Sequence, residues 1–286
     1  MTIIGREGIL SRRDHPNPSA PPVQKLRLRY AKRGRLRFTS HRDVARTFER
    51  ALRRAGVPMA YSQGFSPHPK VSWAGAVPTG VSSMAEYAEL QLVERLEPAV
   101  LRDELNAALP DGIDVLDAAE AEPGALADRL QVSRWRIDLP GTDVAELRDA
   151  VAALMAAETA LVERMTKDGL RTIDARAALL SAEVQDGCRA IAQSDQNSAS
   201  TAQVDDWPEA SEPYGILVTV VRQTTPVVRP DDVLSALRVV AGLAPSVVAS
   251  ATRLEQGRLD DGGGIVDPLA RASGGDRIPA GEPATG

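Results

Sequence analysis

The chain has 286 residues, enough for one large domain or two small ones, and 43% of them are hydrophobic, so a core can form. Aromatic residues make up only 3%, which predicts an aliphatic core. A single cysteine, Cys188, excludes a disulfide framework and a cysteine-based zinc or iron–sulfur site within the chain. We therefore expect no cofactor in this chain. No apolar run approaches the ~18 residues that a membrane span needs, and the N-terminus lacks a secretory signal, so we expect a cytoplasmic protein.

Charge is distributed unevenly along the chain. The net charge is −5, yet residues 25–72 hold 13 Lys/Arg against only Asp43 and Glu49, a net +11. Residues 73–286 carry −17. A basic block inside an acidic protein predicts a surface for a polyanion, nucleic acid before membrane. The alternative is a set of solvated arginines that pair with the acidic remainder.

The basic block opens with an alternating pattern. Residues 1–23 end in Pro, Ser and Asn and are predicted to form a disordered arm, so His15 receives no role. In KLRLRYAKRGRLRFTS, Leu26, Leu28 and Tyr30 alternate with arginines, and the alternation resumes after Gly34. This pattern predicts one bent strand or a hairpin with an apolar face and a cationic face, the latter bearing Arg27 and Arg29.

A capped helix follows the basic strand. Ser40 is a good N-cap, and Gly56 is suited to the position after the last turn, which predicts a helix over residues 41–55. Its apolar face and its arginine face are separate. The apolar face is Val44, Phe48, Leu52 and Ala55, and the arginine face is Arg42, Arg46, Arg50 and Arg53.

The remaining patterns predict two related halves. After the helix come a short strand (VPMAY), a turn-rich loop (SQGFSPHPK), a short strand (VSWA), a strand (EYAELQL), a helix (PAVLRDELNAAL) and a strand (IDVLDAAEAE). The order strand, helix, strand, strand, helix, strand is typical of the split βαβ, ferredoxin-like fold, here over residues 24–123. Residues 124–252 look like a degraded second copy. The predicted fold class is therefore α+β, with tandem ferredoxin-like halves, antiparallel sheets with helices on one face, and disordered termini.

The second half is predicted with less regular elements. SRWRIDL and YGILVTVVRQ read as strands, residues 144–166 as one long Ala-rich helix, and DDVLSALRVVAGL as a second helix. LRTIDARAALLSAEV reads as a strand or turn before an apolar stretch, and SVVASATRL as a weak strand. Residues 185–213 are predicted to be a disordered insertion, and residues 253–286 a disordered tail.

Candidate nucleic-acid contacts come from the basic block. The arginine face of the helix suits a phosphate backbone, and the turn Lys32-Arg33-Gly34-Arg35 is of a kind that tracks phosphates. Tyr61 and Phe65, which flank the loop, are candidates to stack on bases, or else core residues. The predicted contacts are Lys32, Arg33, Arg35, Arg37, Arg42, Arg46, Arg50, Arg53, Tyr61, Gln63, Phe65 and Lys70.

Two histidines are candidates for catalysis. His41 opens the basic helix, and His68 lies between two prolines in the loop. Two histidines can act as the acid and base of a metal-free RNA cleavage. The alternative is that His41 orders the helix start and His68 has no role. No metal site is predicted, and no P-loop, nucleophile elbow or H-E-x-x-H motif occurs.

The segment from Arg35 to Leu92 resembles the radical SAM-linked protein family, a bacterial, radical SAM-associated domain of unknown function. The residues that carry the likeness are Phe38, Ser40, His41, Asp43, Arg50, Arg54 and the SQGFSPHPK loop. RTIDARAAL and VRPDDVLSAL are similar to later motifs, so the likeness covers residues 25–243. It implies an accessory domain beside radical SAM enzymes, with genes that neighbour ribonuclease E/G.

Three functions follow from these observations. The first is a stand-alone accessory protein that binds RNA through its basic strand–helix–loop face and acts with a radical SAM or RNA-processing partner, including RNase E/G-type machinery. The second is an RNA-processing or RNA-modifying enzyme that uses His41 and His68. The third is a protein–protein adaptor whose basic face docks an acidic partner.

Overall fold

A large, mostly antiparallel sheet organises the chain in the computed structural model, which describes residues 20–63, 65–166, 169–187 and 214–270. The strands of the first half are β1 (Gln24–Lys32), β2 (Val71–Ala74), β3 (Ser82–Leu92) and β4 (Ile113–Glu120). Those that follow are β5 (Val132–Pro140), β6 (Leu161–Thr166), β7 (Gly169–Asp174), β8 (Leu179–Asp186), β9 (Tyr214–Arg222), β10 (Ser250–Leu259) and β11 (Ile265–Val266). The helices are α1 (His41–Arg54), α2 (Pro98–Ala108), α3 (Val144–Ala156), the single turn α4 (Ala175–Ala178) and α5 (Pro230–Ala241).

The strand order shows how the two halves join. The main sheet runs β4-β1-β3-β10-β5-β9-β8, while β2 pairs with β3 and β11 with β10. Leaving out the β6–β7 hairpin and β11, the strands of each half lie in the order fourth, first, third, second, which is β4-β1-β3-β2 in the first half and β10-β5-β9-β8 in the second. Among the described strands, only the β3–β10 contact is parallel, and its register covers just Ser82 with Thr252 and Ser83 with Arg253. The halves thus share one continuous sheet through a short seam.

Each half has its own hydrophobic core, and the aliphatic core predicted is wrong for the first half, where the rings of Tyr30, Phe48 and Trp73 pack edge-on against one another. Leu26, Leu28 and Tyr30 of β1 are buried against α1 and α2, which confirms the apolar face predicted for this strand. In the second half, α3 and α5 pack on β5, β8 and β9. A smaller cluster around Tyr87 and Leu269 lies apart from both cores and is completed by Leu126 and Leu130.

Two predicted strands of the first half are not strands. β1 ends at Lys32, and the expected continuation is a 3-10 helix, Gly34–Phe38. Gly34 takes a positive φ of 54°, which ends the strand because it turns the backbone out of the extended region. VPMAY forms only isolated bridges, from Met59 to Leu92 and from Tyr61 to Pro69.

The long helix predicted over residues 144–166 is wrong beyond Ala156. Ala157 turns to an extended backbone, and Leu161–Thr166 is a strand that pairs with β7. In this strand Val162 is buried and Arg164 binds Asp232 of α5. These tertiary contacts outweigh the helix propensity of the Ala-rich sequence.

Two segments predicted to be disordered begin with residues that the structure places in strands. β8 continues to Asp186, so residues 185 and 186 belong to the sheet, while most of the predicted insertion lies outside the described residues. The predicted tail is wrong for residues 253–270, because β10 reaches Leu259 and β11 pairs with it. Residues 1–19 and 271–286, the bulk of the predicted disordered termini, also lie outside the described residues.

Candidate nucleic-acid interface and the seam between the halves

Helix α1 presents the arginine face that its sequence predicts. The Ser40 side chain accepts a hydrogen bond from the Asp43 backbone N–H at 3.3 Å, which caps the helix. Val44, Phe48 and Leu52 are buried, and so is Ala51, whereas Ala55 is only half-buried. On the opposite side, the four arginines Arg42, Arg46, Arg50 and Arg53 are all exposed.

The contacts of these arginines leave most of their charge available. Arg46 lies 3.6 Å from the Asp43 carboxylate in an exposed pair, and such pairs are worth little in water. Arg50 donates to the Thr47 hydroxyl at 3.0 Å. No ion pair neutralises Arg42 or Arg53 within the part of the chain that the structure describes.

The arginines of the cationic face predicted for β1 form ion pairs within the protein. Arg27 is only 2% exposed and binds the Glu89 carboxylate at 3.0 Å. Arg29 binds Asp267 at 2.8 Å. The predicted cationic face is therefore neutralised at both positions, and buried at Arg27, because the fold brings carboxylates from distant segments to these two arginines.

Lys32 is the predicted contact least able to reach a ligand. It is 3% exposed, and its ammonium group donates to the Pro78 carbonyl at 3.4 Å. Burial lowers the pKa of Lys32, and the nearby Glu86 carboxylate opposes that shift. Its neighbour Arg33 is part-exposed and pairs with Asp114 at 2.7 Å.

The turn after β1 combines cations with an exposed aromatic ring. Arg35 is exposed and Arg37 is half-buried. The Arg37 guanidinium lies over the Phe38 ring, 4.7 Å from its centroid, and Phe38 is 60% exposed. Phe38 therefore places an open aromatic surface next to the start of α1.

The SQGFSPHPK loop is closed at its base and open at its apex. The Ser62 N–H donates to the His68 carbonyl at 2.8 Å, and the His68 N–H donates to the Ser62 hydroxyl at 3.0 Å. Phe65 at the apex is 94% exposed, and Gln63 is also exposed. Tyr61 and Lys70, at the ends of the loop, are half-buried; Gly64 lies outside the described residues.

The two candidate catalytic histidines have separate surroundings. The exposed His41 ring packs edge-on against Trp73, with 5.5 Å between ring centroids. His68 is exposed, and its backbone holds the loop closed. Within the described residues, no hydrogen bond or ring contact joins His41 to His68.

A buried ionic cluster at the seam was not found by sequence reasoning. The Glu86 carboxylate of β3 is 2% exposed; it accepts a hydrogen bond from Arg253 of β10 and one from the Val77 N–H at 3.2 Å. The Arg253 guanidinium also lies 5.5 Å from the centroid of the Trp135 ring. The available signal was a charged residue between apolar neighbours in β3, but its partner lies 167 residues away.

A cleft of about 220 Å³ opens beside this cluster. We call three of its buried lining residues, Ser133, Trp135 and Arg253, the floor; residues 75–78 of the first half and 227–230 of the second also line it. Arg222 and Arg229 also line it. Among the described residues, no group of three or more metal-ligating side chains is present, and no helix is long and apolar enough to cross a membrane.

The described residues define an α/β protein with one large, mostly antiparallel sheet. A family described as an uncharacterized protein conserved in bacteria (DUF2344) matches residues 25–230, and the chain belongs to that family. No curated protein matches the chain in sequence at a significant level. A crystal structure of an unknown protein from Galdieria sulphuraria is similar at 12% identity and a TM-score of 0.23, covering 80% of this chain and 98% of that one.

Proposed function

We propose that the protein is an RNA-binding accessory protein and that helix α1 carries the main contact surface. We name this surface the basic face and define it as Arg35, Arg42, Arg46, Arg50 and Arg53. The observation that supports it is the exposure of all four α1 arginines, of which Arg46 forms an exposed ion pair with Asp43. Over about 16 Å of helix they present charges suited to a phosphate backbone. Lys32 is left out because it is buried.

The exposed rings of Phe38 and Phe65 support RNA over a generic polyanion. They are 60% and 94% exposed, in a chain with only three phenylalanines. An exposed apolar ring is suited to stacking on an unpaired base, and the Phe38 ring already stacks with the Arg37 guanidinium on one side.

Two further parts of the proposal concern architecture and partners. We propose that each half is a ferredoxin-like unit, because each has the strand order fourth, first, third, second expected of a split βαβ fold. We also propose that the protein acts in the cytoplasm beside a radical SAM or RNA-processing partner. Its resemblance to the radical SAM-linked family supports that part.

Charge reversal on α1 tests the basic face. In Arg46→Glu/Arg50→Glu we expect RNA affinity to fall at least tenfold at moderate salt and the dependence of affinity on salt to become shallower, because fewer phosphate contacts release counterions. The measurement is the dissociation constant for a pool of cellular RNA against salt concentration. Arg148→Glu/Arg171→Glu makes the same charge change on exposed positions of the second half and should retain affinity. Binding that ignores salt, or equal losses in both variants, would overturn the proposal.

A stacking contact is tested separately. Phe65→Ala should weaken RNA binding by about 1–3 kcal/mol, the range for losing one stacked base. Its free energy of unfolding should change by less than about 0.5 kcal/mol, because the ring is 94% exposed. Val248→Ala is the matched control, since Val248 is 91% exposed in the second half. An unchanged RNA affinity in the Phe65 variant would remove stacking from the proposal.

The same RNA incubations distinguish binding from catalysis. If wild-type protein shortens the RNA, and His41→Ala and His68→Ala abolish the shortening, the protein is an enzyme and the accessory role fails. Intact RNA recovered from the complex agrees with binding alone.

A further inference from the structure

The cleft at the seam has an electrostatic character opposite to that of the half that builds most of it. Residues 124–270 contain 14 Lys/Arg against 22 Asp/Glu. The residues that line the cleft nevertheless include three arginines, Arg222, Arg229 and Arg253, and no Asp or Glu. The cleft is therefore a concave site lined by arginines within an acidic half of the protein.

The floor of the cleft is rigid and its charge is already balanced. Arg253, on β10, is 4% exposed and is held by Glu86. Ser133 and Trp135, on the neighbouring strand β5, are also buried. Because this floor is fixed by sheet hydrogen bonds and an ion pair, it offers a preorganised base for a ligand.

The rim of the cleft carries two exposed arginines. Arg222 at the end of β9 and Arg229 just before α5 are both exposed. Neither side chain forms an ion pair within the described part of the chain, although Arg229 lies near enough to the Asp232 carboxylate to oppose the rise that burial causes in its pKa. A guanidinium group binds carboxylate and phosphate oxygens alike, but a phosphate dianion has the charge and the oxygens to engage two guanidiniums at once. Two arginines on one rim therefore favour phosphate.

The volume of the cleft and its apolar lining limit the size and polarity of the part of the ligand that is attached to the phosphate. A volume of about 220 Å³ is below the ~300 Å³ at which drug-sized pockets begin, so a mononucleotide or larger molecule would project out of it. The ring of Trp135 on the floor and the side chains of Val221 and Val228 supply apolar lining for a short carbon skeleton. We propose that the cleft binds the phosphate group of a small organic phosphate, at a site separate from the basic face.

Calorimetric titration of the full chain tests this site, with inorganic phosphate, ribose 5-phosphate and acetate as probes. We expect saturable one-to-one binding of both phosphates and much weaker binding of acetate. Arg222→Gln/Arg229→Gln should weaken phosphate binding about tenfold or more, because two charge-assisted contacts are lost at exposed positions. Ala76→Glu, which adds a carboxylate at the exposed mouth, should weaken it as well. Arg148→Gln is the matched control and should bind like the wild type.

Several outcomes would overturn the assignment. They are the absence of saturation by either phosphate, binding that the double variant retains, and acetate binding as tight as phosphate. Displacement of phosphate by RNA would assign the cleft to RNA phosphates instead of a small ligand. The Arg46→Glu/Arg50→Glu variant separates the two proposals, since it should lose RNA affinity and keep phosphate binding.

Discussion

Burial raises the pKa of three of the four tyrosines, Tyr30, Tyr87 and Tyr214. For Tyr87 the Asp267 carboxylate adds to the effect of burial, and for Tyr214 a 2.6 Å hydrogen bond to Asp138 does so. A phenol in such surroundings loses its proton less readily than in the unfolded chain, where the pKa is about 10. The buried tyrosines therefore make the free energy of unfolding depend on pH in the alkaline range.

The sign of that coupling gives a first prediction. Each raised pKa contributes stability that is fully present below about pH 10 and is lost as pH rises further, because the unfolded chain then binds fewer protons. The free energy of unfolding in urea should fall above about pH 10, and Tyr214→Phe should reduce the slope by up to about 1.4 kcal/mol per pH unit. Lys32, whose pKa is lowered, works in the opposite direction up to its unfolded pKa of about 10.4. An unchanged slope in Tyr214→Phe would contradict the prediction.

Single residues also show where sequence reasoning succeeds. The burial of Leu26, Leu28 and Tyr30 follows from their spacing alone. The environment of Arg27 and Arg29 does not, because their partners Glu89 and Asp267 are brought to them only by the fold. Alternation tells which residues share a face, but not whether that face meets water.

At the scale of elements, α1 was predictable because its determinants are local. Its cap, its apolar spacing and its stop at Gly56 lie within 17 residues of sequence. The strand after α3 was not predictable from its own sequence, because Val162 and Arg164 hold it in place through contacts with distant residues. Ala-rich sequence favours helix only where no such contact competes.

The cap of α1 gives a second prediction. The Ser40 hydroxyl accepts from the Asp43 N–H and donates to the Asp43 carboxylate at 2.7 Å. Ser40→Ala should lower the free energy of unfolding by about 1 kcal/mol, because the first turn loses a hydrogen-bond acceptor. Urea denaturation measures the change. Ser40→Thr keeps the hydroxyl and should retain most of the stability, so equal losses in both variants would show that capping is not the cause.

At the scale of the whole molecule, Glu86 links the two halves. It binds Arg253 across the seam and the Val77 N–H, and Val77 packs into the core of the second half. Lys32 also interacts electrostatically with the Glu86 carboxylate. Removing this carboxylate would leave two buried cations without their counterion.

The third prediction concerns that loss. Glu86→Ala should lower the free energy of unfolding by about 3–5 kcal/mol, the cost of breaking a buried ion pair from one side. Trp73 and Trp135 report on the first and second halves when each is the only tryptophan in the chain. Both probes should show one shared urea transition that shifts by the same amount. Glu104→Ala, at an exposed site of α2, should shift neither.

Separate midpoints for the two probes, or a shift in only one of them, would show that the seam does not couple the halves. None of these seam contacts could be read from the sequence. They depend on strand β10, which lies in the sheet between β3 and β5, two strands that precede it by more than 100 residues in the sequence.

The position of β10 in the sheet has a consequence for how the protein is made. It lies between β3 and β5, although the ribosome translates it after both of them. Until residues 250–259 leave the exit tunnel, the nascent chain carries an open edge on β5, part of one on β3, and Glu86 without Arg253. Unpaired strand edges are aggregation-prone. We therefore expect the growing chain to be most prone to aggregation late in translation, and a product truncated before β10 to aggregate unless it is degraded.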